Sequence, residues 1–420
     1  MILYFFINNL FKKKKKNLSS KLKLYRIGEF MVKISVILPI YNIANFLEES
    51  LKSVLNQTLK DIEVICINDG STDNSLEILN KFAKKDNRIK IIDKKNEGTG
   101  VTRNIGLNEA SGDYIYFFDP DDYIVENTLY ELYENITLNN SDFVLLKIAR
   151  FREDTDEIDY SRPGFKLEDI FPNKDFNNFV FNYHDTKYYV LNASFAPWTK
   201  LYRKEFLDSY DDFIFDSVPA FEDVPFHVKS MLRAKRISYV PKFLYRYRYN
   251  PNSNSNDPIH GKFIFKICKL VEEILRKENL FEEFIDEFIL FKINQILAYL
   301  IPASSEKYFQ KAKIEFRIIE KKFLNDEIKK KIPMMTLQKF NLILKSNSLY
   351  EFINLKMIQE ENENLSKINQ EINILFKKLN NQYNNLYLIQ QSSKQKKRSI
   401  TLKKSSEDIL DYIENKSKSQ

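Results

Sequence analysis

Asp119-Pro120-Asp121-Asp122 places three carboxylates within four residues, directly after the hydrophobic run Tyr114-Ile-Tyr-Phe-Phe118. Carboxylates this close repel, and each raises its neighbours' affinity for protons. A hard divalent cation relieves that repulsion. Mg²⁺ or Mn²⁺ takes one or two carboxylates and fills its remaining positions with water or substrate phosphate oxygens. The competing account is an acidic turn that starts the next helix, since Asp is favoured at both places. What separates the two accounts is where the cluster sits, and other polar clusters occupy equivalent places. Pro39-Ile-Tyr-Asn42 follows one apolar run, Asn68-Asp-Gly-Ser-Thr-Asp73 a second, and Asn96-Glu-Gly-Thr-Gly-Val-Thr-Arg-Asn104 a third.

The elements carrying these clusters alternate in period. Ile34 to Ile40, Asp61 to Ile67, Arg88 to Ile92 and Tyr114 to Phe118 read as short buried strands. Between them, Phe46, Leu47, Leu51, Val54 and Leu55 recur at helical spacing. Leu76, Ile78, Leu79 and Phe82 do the same behind an N-cap at Ser71 or Asp73, and Thr99 to Ala110 is a third helix. A βαβαβαβ order implies a Rossmann-like α/β fold with a mostly parallel sheet, right-handed crossovers and flanking helices. Ligands of such sheets sit beyond the carboxyl ends of the strands, where the polar clusters fall. A helix near 126–137 and a strand near 142–148 follow, before a mixed stretch to about 190.

Hydrophobic residues make up 43% of the 420, with 34 Phe and 24 Tyr, enough for a well-buried core. Cys66 and Cys268 have no metal-ligand spacing and no disulfide framework, as in a reducing cytosol. Lys12 to Lys16, Lys21, Lys23 and Arg26, against Glu29 alone, account for the whole formal charge of +7. The rest of the chain is neutral, so nucleic acid is not an expected partner. In residues 1–31 the lysines follow a short apolar run, the wrong order for a secretory signal and too short to span a bilayer. This extension is a peripheral anchor on anionic lipid at the inner face of the cytoplasmic membrane, an unstructured extension, or the result of a start placed too early, since Met31-Val-Lys-Ile34 would open the domain. Pro251 to Pro258 is turn-rich and marks a boundary. The expected parts are an α/β domain over 32–255, a helical domain over 256–350, a long helix over 351–391 and a polar tail over 392–420. In the long helix, Ile358, Leu365, Ile368, Ile372, Leu375, Leu379, Leu386 and Ile389 fall at a and d positions, interrupted by Glu361 and Gln382. That spacing suits a coiled coil joining copies of the chain, or a helix packed in its own bundle.

The assembled pieces resemble family-2 glycosyltransferases of the GT-A fold, especially those that build bacterial surface polysaccharides. The matching residues are Val36-Ile-Leu-Pro-Ile-Tyr-Asn42, Ser53-Val-Leu-Asn-Gln-Thr58, Asn68 to Asp73, Arg103-Asn104 with Gly106, and Phe118 to Asp122. Trp198-Thr-Lys-Leu-Tyr202, Glu222-Asp223 and Tyr247-Arg248 extend the match, in the family's order, over about 33–255. The resemblance implies an inverting transferase taking a nucleotide sugar, first of all a UDP-sugar, to a glycan or lipid-linked acceptor.

It also implies roles. Pro39, Tyr41 and Asn42 would cradle the nucleotide, Asp69 would hydrogen-bond its base or ribose, and Arg103 would lie by its phosphates. Asp119 and Asp121 match the DxD pair, the first toward ribose or sugar, the second toward Mg²⁺ or Mn²⁺ on the diphosphate. The family often has Ser where Pro120 stands, and Gly98-Thr-Gly-Val-Thr102 departs from the commoner Gly-Leu-Ser-Ala-Ala loop. Asp223 would deprotonate the acceptor hydroxyl, with Glu222 orienting it; a helix-start acidic pair is the alternative. Trp198, Lys200, His227 and Arg248 are expected near acceptor or diphosphate, with core packing as the competing role for Trp198 and His227. A nucleotidyltransferase would want a Gly-rich basic loop after the first strand, where Pro-Ile-Tyr-Asn stands. A membrane-associated scaffold with a non-catalytic transferase-like domain is the other alternative, and the intact acidic residues argue against it.

Overall fold

Short apolar runs stopped by turn residues become the strands of one nine-stranded sheet. The computed structural model describes residues 32–249, apart from 154, 156 and 163, and residues 257–417. The basic extension, with its anchor reading, and most of the turn-rich boundary lie outside the described residues. In chain order the first half runs β1 (Ile34–Ile40), α1 (Ala44–Leu55), β2 (Ile62–Asp69), α2 (Ser75–Ala83), β3 (Ile89–Lys94), α3 (Thr99–Glu109), β4 (Tyr114–Phe117), β5 (Tyr123–Ile124) and α4 (Thr128–Leu138). There follow β6 (Phe143–Arg152), β7 (Glu157–Asp159), α5 (Lys187–Leu191), β8 (Lys200–Arg203), α6 (Lys204–Asp208), α7 (Asp223–Arg233) and β9 (Ile237–Arg248). The N-cap of α2 is Asn74, one residue beyond the expected pair; Asp73 instead accepts from the backbone of Ser75 at 3.0 Å and Ala44 at 2.9 Å.

Strand order is β3-β2-β1-β4-β8-β6-β9-β5, with β7 on β6. From β3 to β4 every pairing is parallel, as the βα alternation requires. Beyond β4 the sheet is mixed: β8 is antiparallel to β4 and β6, and β6 is parallel to β9. The expectation of a mostly parallel sheet therefore fits only the first half. The second half is built from single strands returning across the sheet, without a crossover helix for each, and no local period signals that. β1 and β2 are buried on both faces, hence their mostly apolar runs, and the polar residues Ser35 and Glu63 within them bond to each other. On one side of β4, Phe117 meets Phe215 and Phe226 edge-on, while those two rings stack at 4.1 Å.

The described chain falls into two compact units divided between Leu337 and Gln338. Helices α8 (Ile264–Lys277), α9 (Ile285–Leu300), α10 (Glu306–Lys322) and α11 (Asp326–Lys331) belong to the first unit with the sheet. The separate helical domain expected over 256–350 is thus corrected: α8 packs on α7, and Arg233 joins Asp212 and Glu278 in one ion-paired cluster. Helix α12 (Met334–Lys345) comes next, and α13 runs unbroken from Leu349 to Ser417. Most of the expected polar tail is therefore helical. Among the described residues no helix is long and apolar enough to cross a membrane.

Candidate active site

The carboxyl ends of β1 and β4 and the N-terminus of α7 open on one cleft of about 570 Å³, a volume in the usual range for a small-molecule site. Pro39, Tyr41, Asn42, Arg103, Asp119, Asp121, Trp198, Glu222 and Asp223 all line it. Each is placed by its element. Asn42 takes a positive φ of 50°, accepts from the Thr72 N–H at 2.7 Å and donates its own N–H to Ser71 Oγ at 3.1 Å. This ties the β1 end to the loop after β2 and leaves Tyr41 exposed toward the cleft. The acidic turn is held from behind by Asp122. That carboxylate is fully buried, accepts from Tyr245 Oη at 2.5 Å and from the Arg248 N–H at 2.7 Å. Burial and the neighbouring Asp121 charge push its pKa well up. Asp122 is therefore the turn's anchor, while Asp119 and Asp121 line the cleft.

Arg103 is the centre of charge. It is buried on α3, donates from one nitrogen to Asp119 Oδ1 at 2.7 Å and from another to Glu222 Oε1 at 2.8 Å. Its Nε has no protein partner. A fork this rigid fixes the acidic turn against the α7 N-terminus. The loop before α3 must come close for this: a Cβ on Gly100 would lie 3.0 Å from the Asp216 carbonyl and 3.2 Å from Glu222 Cγ. That contact is a reason for glycine in the divergent Gly98-Thr-Gly100 loop. Asn104, one residue on, exchanges two 2.8 Å bonds with the backbone of Phe215 and so pins the segment leading to Glu222.

Asp121 is pushed up to about 6, by burial first and the Asp119 charge second. The Asp119 carboxylate has the Arg103 guanidinium, so the uncompensated acid of the pair is Asp121. Asp121 with Asp119 could hold Mg²⁺ or Mn²⁺, cations that take one or two carboxylates and fill their other positions with water or phosphate oxygens. No cluster of three or more metal-ligating side chains occurs among the described residues, as that mode of binding allows. Asp223 is also shifted up, by burial and then by the Glu222 charge. The Arg103 and Lys200 charges oppose that shift. Directly before the pair, Phe221 holds φ at 65°, a conformation costly for a side chain of its size.

Four expected residues do other things. Lys200 is fully buried and donates to the Ala196 carbonyl at 2.9 Å and Thr199 Oγ1 at 2.8 Å. Burial draws its pKa down to about 7. His227 is buried too, its Nε2 3.1 Å from the Tyr189 carbonyl and its ring edge-on to Phe195. Arg248 pairs with Glu49 and Glu153 and donates to the Asp121 carbonyl at 2.6 Å. None of the three lines the cleft, and their expected approach to diphosphate or acceptor is corrected on that geometry. Asp69 is the fourth. Its carboxylate accepts from the backbone of Glu97 and Gly98, both at 2.9 Å, and from Lys94, and it stays off the lining. Trp198 stacks on Tyr245 at 4.3 Å and borders the cleft. Sequence reasoning missed Pro219, Ala220 and His260, which complete the lining near Phe221. His260 comes from the helical segment, where no local pattern marks a residue as facing a cleft.

Residues 35–211 match the family described as Glycosyl transferase family 2, a span ending short of Glu222 and Asp223. EpsJ of Bacillus subtilis, named as an uncharacterized glycosyltransferase, is 34% identical over 214 residues, 50% of this chain and 60% of that protein. The glycosyltransferase GlyG of Streptococcus pneumoniae is 30% identical over 219 residues, 50% of this chain and 69% of GlyG. The crystal structure of S. aureus TarS 1-349 with UDP is 25% identical, with 66% of this chain and 82% of that chain covered and a TM-score of 0.45. The curated relatives matched at 34% identity are covered over 30% to 60% of their own length.

Proposed function

Because the chain belongs to the family 2 glycosyl transferases, we propose that it moves a sugar from a nucleotide-sugar donor to a hydroxyl of a glycan or lipid-linked acceptor, with inversion, in the making of a surface polysaccharide. The observation that carries this reading is the meeting of Asp119, Asp121 and Asp223 in one cleft, where Arg103 ties Asp119 to Glu222 beside Asp223. In a single displacement the acceptor oxygen bonds to the anomeric carbon as the bond to the diphosphate oxygen breaks. The hydroxyl proton goes to Asp223, and the nucleoside diphosphate leaves. A raised pKa makes Asp223 a better proton acceptor than an ordinary carboxylate. Glu222, held by Arg103, keeps the base at the mouth of α7. Mg²⁺ or Mn²⁺ held by Asp121 with Asp119 would neutralise the charge that develops on the leaving diphosphate. Pro39, Tyr41 and Asn42 form the side on which the nucleotide would rest, and Trp198 offers a ring to a sugar face. A UDP-sugar is the first donor to try, and the basic extension would keep the enzyme near its acceptor at the inner membrane surface.

A donor-hydrolysis screen across UDP-, GDP-, CMP- and dTDP-sugars, with and without Mn²⁺, tests the reading. One donor class should be turned over only with metal, and Asp121→Ala should lower that rate roughly a hundredfold or more. A chain that neither hydrolyses any donor nor binds UDP with Mn²⁺ in titration calorimetry would instead be a non-catalytic scaffold.

A further inference from the structure

Helix α13 carries a seam that nothing in its own unit covers. Ile368, Ile372, Leu375 and Leu379 alternate by four, three and four residues, and are 51%, 42%, 62% and 61% exposed. Spacing of that kind makes one continuous stripe along a helix and is the repeat that drives two helices to supercoil. A long helix in water with such a stripe bare lacks the burial that stabilises most helices.

The charges beside the seam choose the partner and its direction. With Ile372 at an a position, Glu371 and Lys378 fall at successive g positions, while the e positions hold Asn369 and Phe376. In a parallel pair each g residue faces an e residue, so neither Glu371 nor Lys378 meets an opposite charge. The parallel register also puts the two Glu361 side chains in one core layer. In an antiparallel pair g faces g. Setting Ile372 against Leu375 of the second copy also sets Ile368 against Leu379, giving four apolar layers related by a two-fold axis. The same register brings Glu371 of each helix beside Lys378 of the other, at both ends of the apolar block. It separates the two Glu361 residues by roughly 35 Å. We propose that two copies of this chain associate through α13 as an antiparallel coiled coil, with the two-fold axis between Ile372 and Leu375.

Light scattering on the full chain should give twice the chain mass at micromolar concentration. Glu371→Lys should weaken the dimer on the order of tenfold or more, because two attractions become two repulsions. Adding Lys378→Glu should restore it. Direction is read from disulfides formed with oxidised glutathione, since the native Cys66 and Cys268 are buried. A mixture of Ile368→Cys and Leu379→Cys chains should cross-link to each other. In a parallel pair those positions lie eleven residues, roughly 16 Å, apart, and Ile368→Cys would cross-link to itself. A monomer at high concentration, a dimer indifferent to both charge changes, or the Ile368→Cys homodimer each overturns the proposal. Circular dichroism of each variant separates lost association from lost helix.

Discussion

Asp223 and Asp121 are both carboxylates with raised proton affinity, yet they call for opposite tests. In the proposed reaction Asp223 is the base, and it acts only when ionised. Its pKa is lifted by burial and by Glu222, so kcat/KM should fall with unit slope on the acid side, at a pH above the ordinary carboxylate range. Asp223→Asn should abolish that limb and lower transfer by roughly a hundred- to ten-thousandfold, with UDP affinity little changed. Full transfer by Asp223→Asn would remove it as the base. For Asp121 the same upward shift, to about 6 in the free protein, sets protons against metal. Half-saturating Mn²⁺ should therefore rise as the pH drops below about 6, and titration calorimetry reads it directly.

Helix α3 is the element on which the site hangs, since it carries Arg103 and Asn104 and begins at the loop that approaches Glu222. Its seat on the sheet depends on Gly106, where a Cβ would lie 2.3 Å from Ile37 Cγ2 and 3.0 Å from Ile67 Cδ1. Both isoleucines are fully buried and have no room to yield. Alanine would add about 1 kcal/mol of helix propensity. Overpacking typically costs 1–3 kcal/mol, about the larger of the two, and tilts the helix as well. Gly106→Ala should therefore lower the thermal midpoint by several degrees, and it should lower activity further by moving Arg103. An unchanged melt would mean that the sheet accommodates the methyl.

At the scale of the whole molecule, the helices from Ile264 to Lys331 are a buttress of the catalytic unit. Arg233 on α7 is 8% exposed and pairs with Glu278 just after α8, while Phe221 meets Tyr299 of α9 edge-on at 5.4 Å. A chain ending at Leu337 should keep a cooperative melt and the donor hydrolysis of the intact chain. One ending at Tyr249 should lose both, because α7 would present its packed face to water. If the shorter chain melts like the longer one, the helices are an accessory and not a support.

The strands β1 to β4 and the polar clusters at their ends were readable because each βα unit is local. An apolar run followed by a turn and an amphipathic period needs no distant partner to be recognised. Pro39, Asn42, Asp119 and Asp121 were therefore placed near one another by topology alone, and family likeness added Glu222 and Asp223. What could not be read is which polar side chains face the cleft. Arg103 finds its two acids 16 and 119 residues away, and Arg248 reaches the acidic turn from 126 residues on, into a buried clamp. Lys200 and His227 turn inward because backbone carbonyls in neighbouring segments await them. Those directions depend on which strands become neighbours in the mixed half of the sheet. The amino-acid order sets the chemistry available at each strand end, while tertiary packing decides which of those groups stay free to meet a substrate.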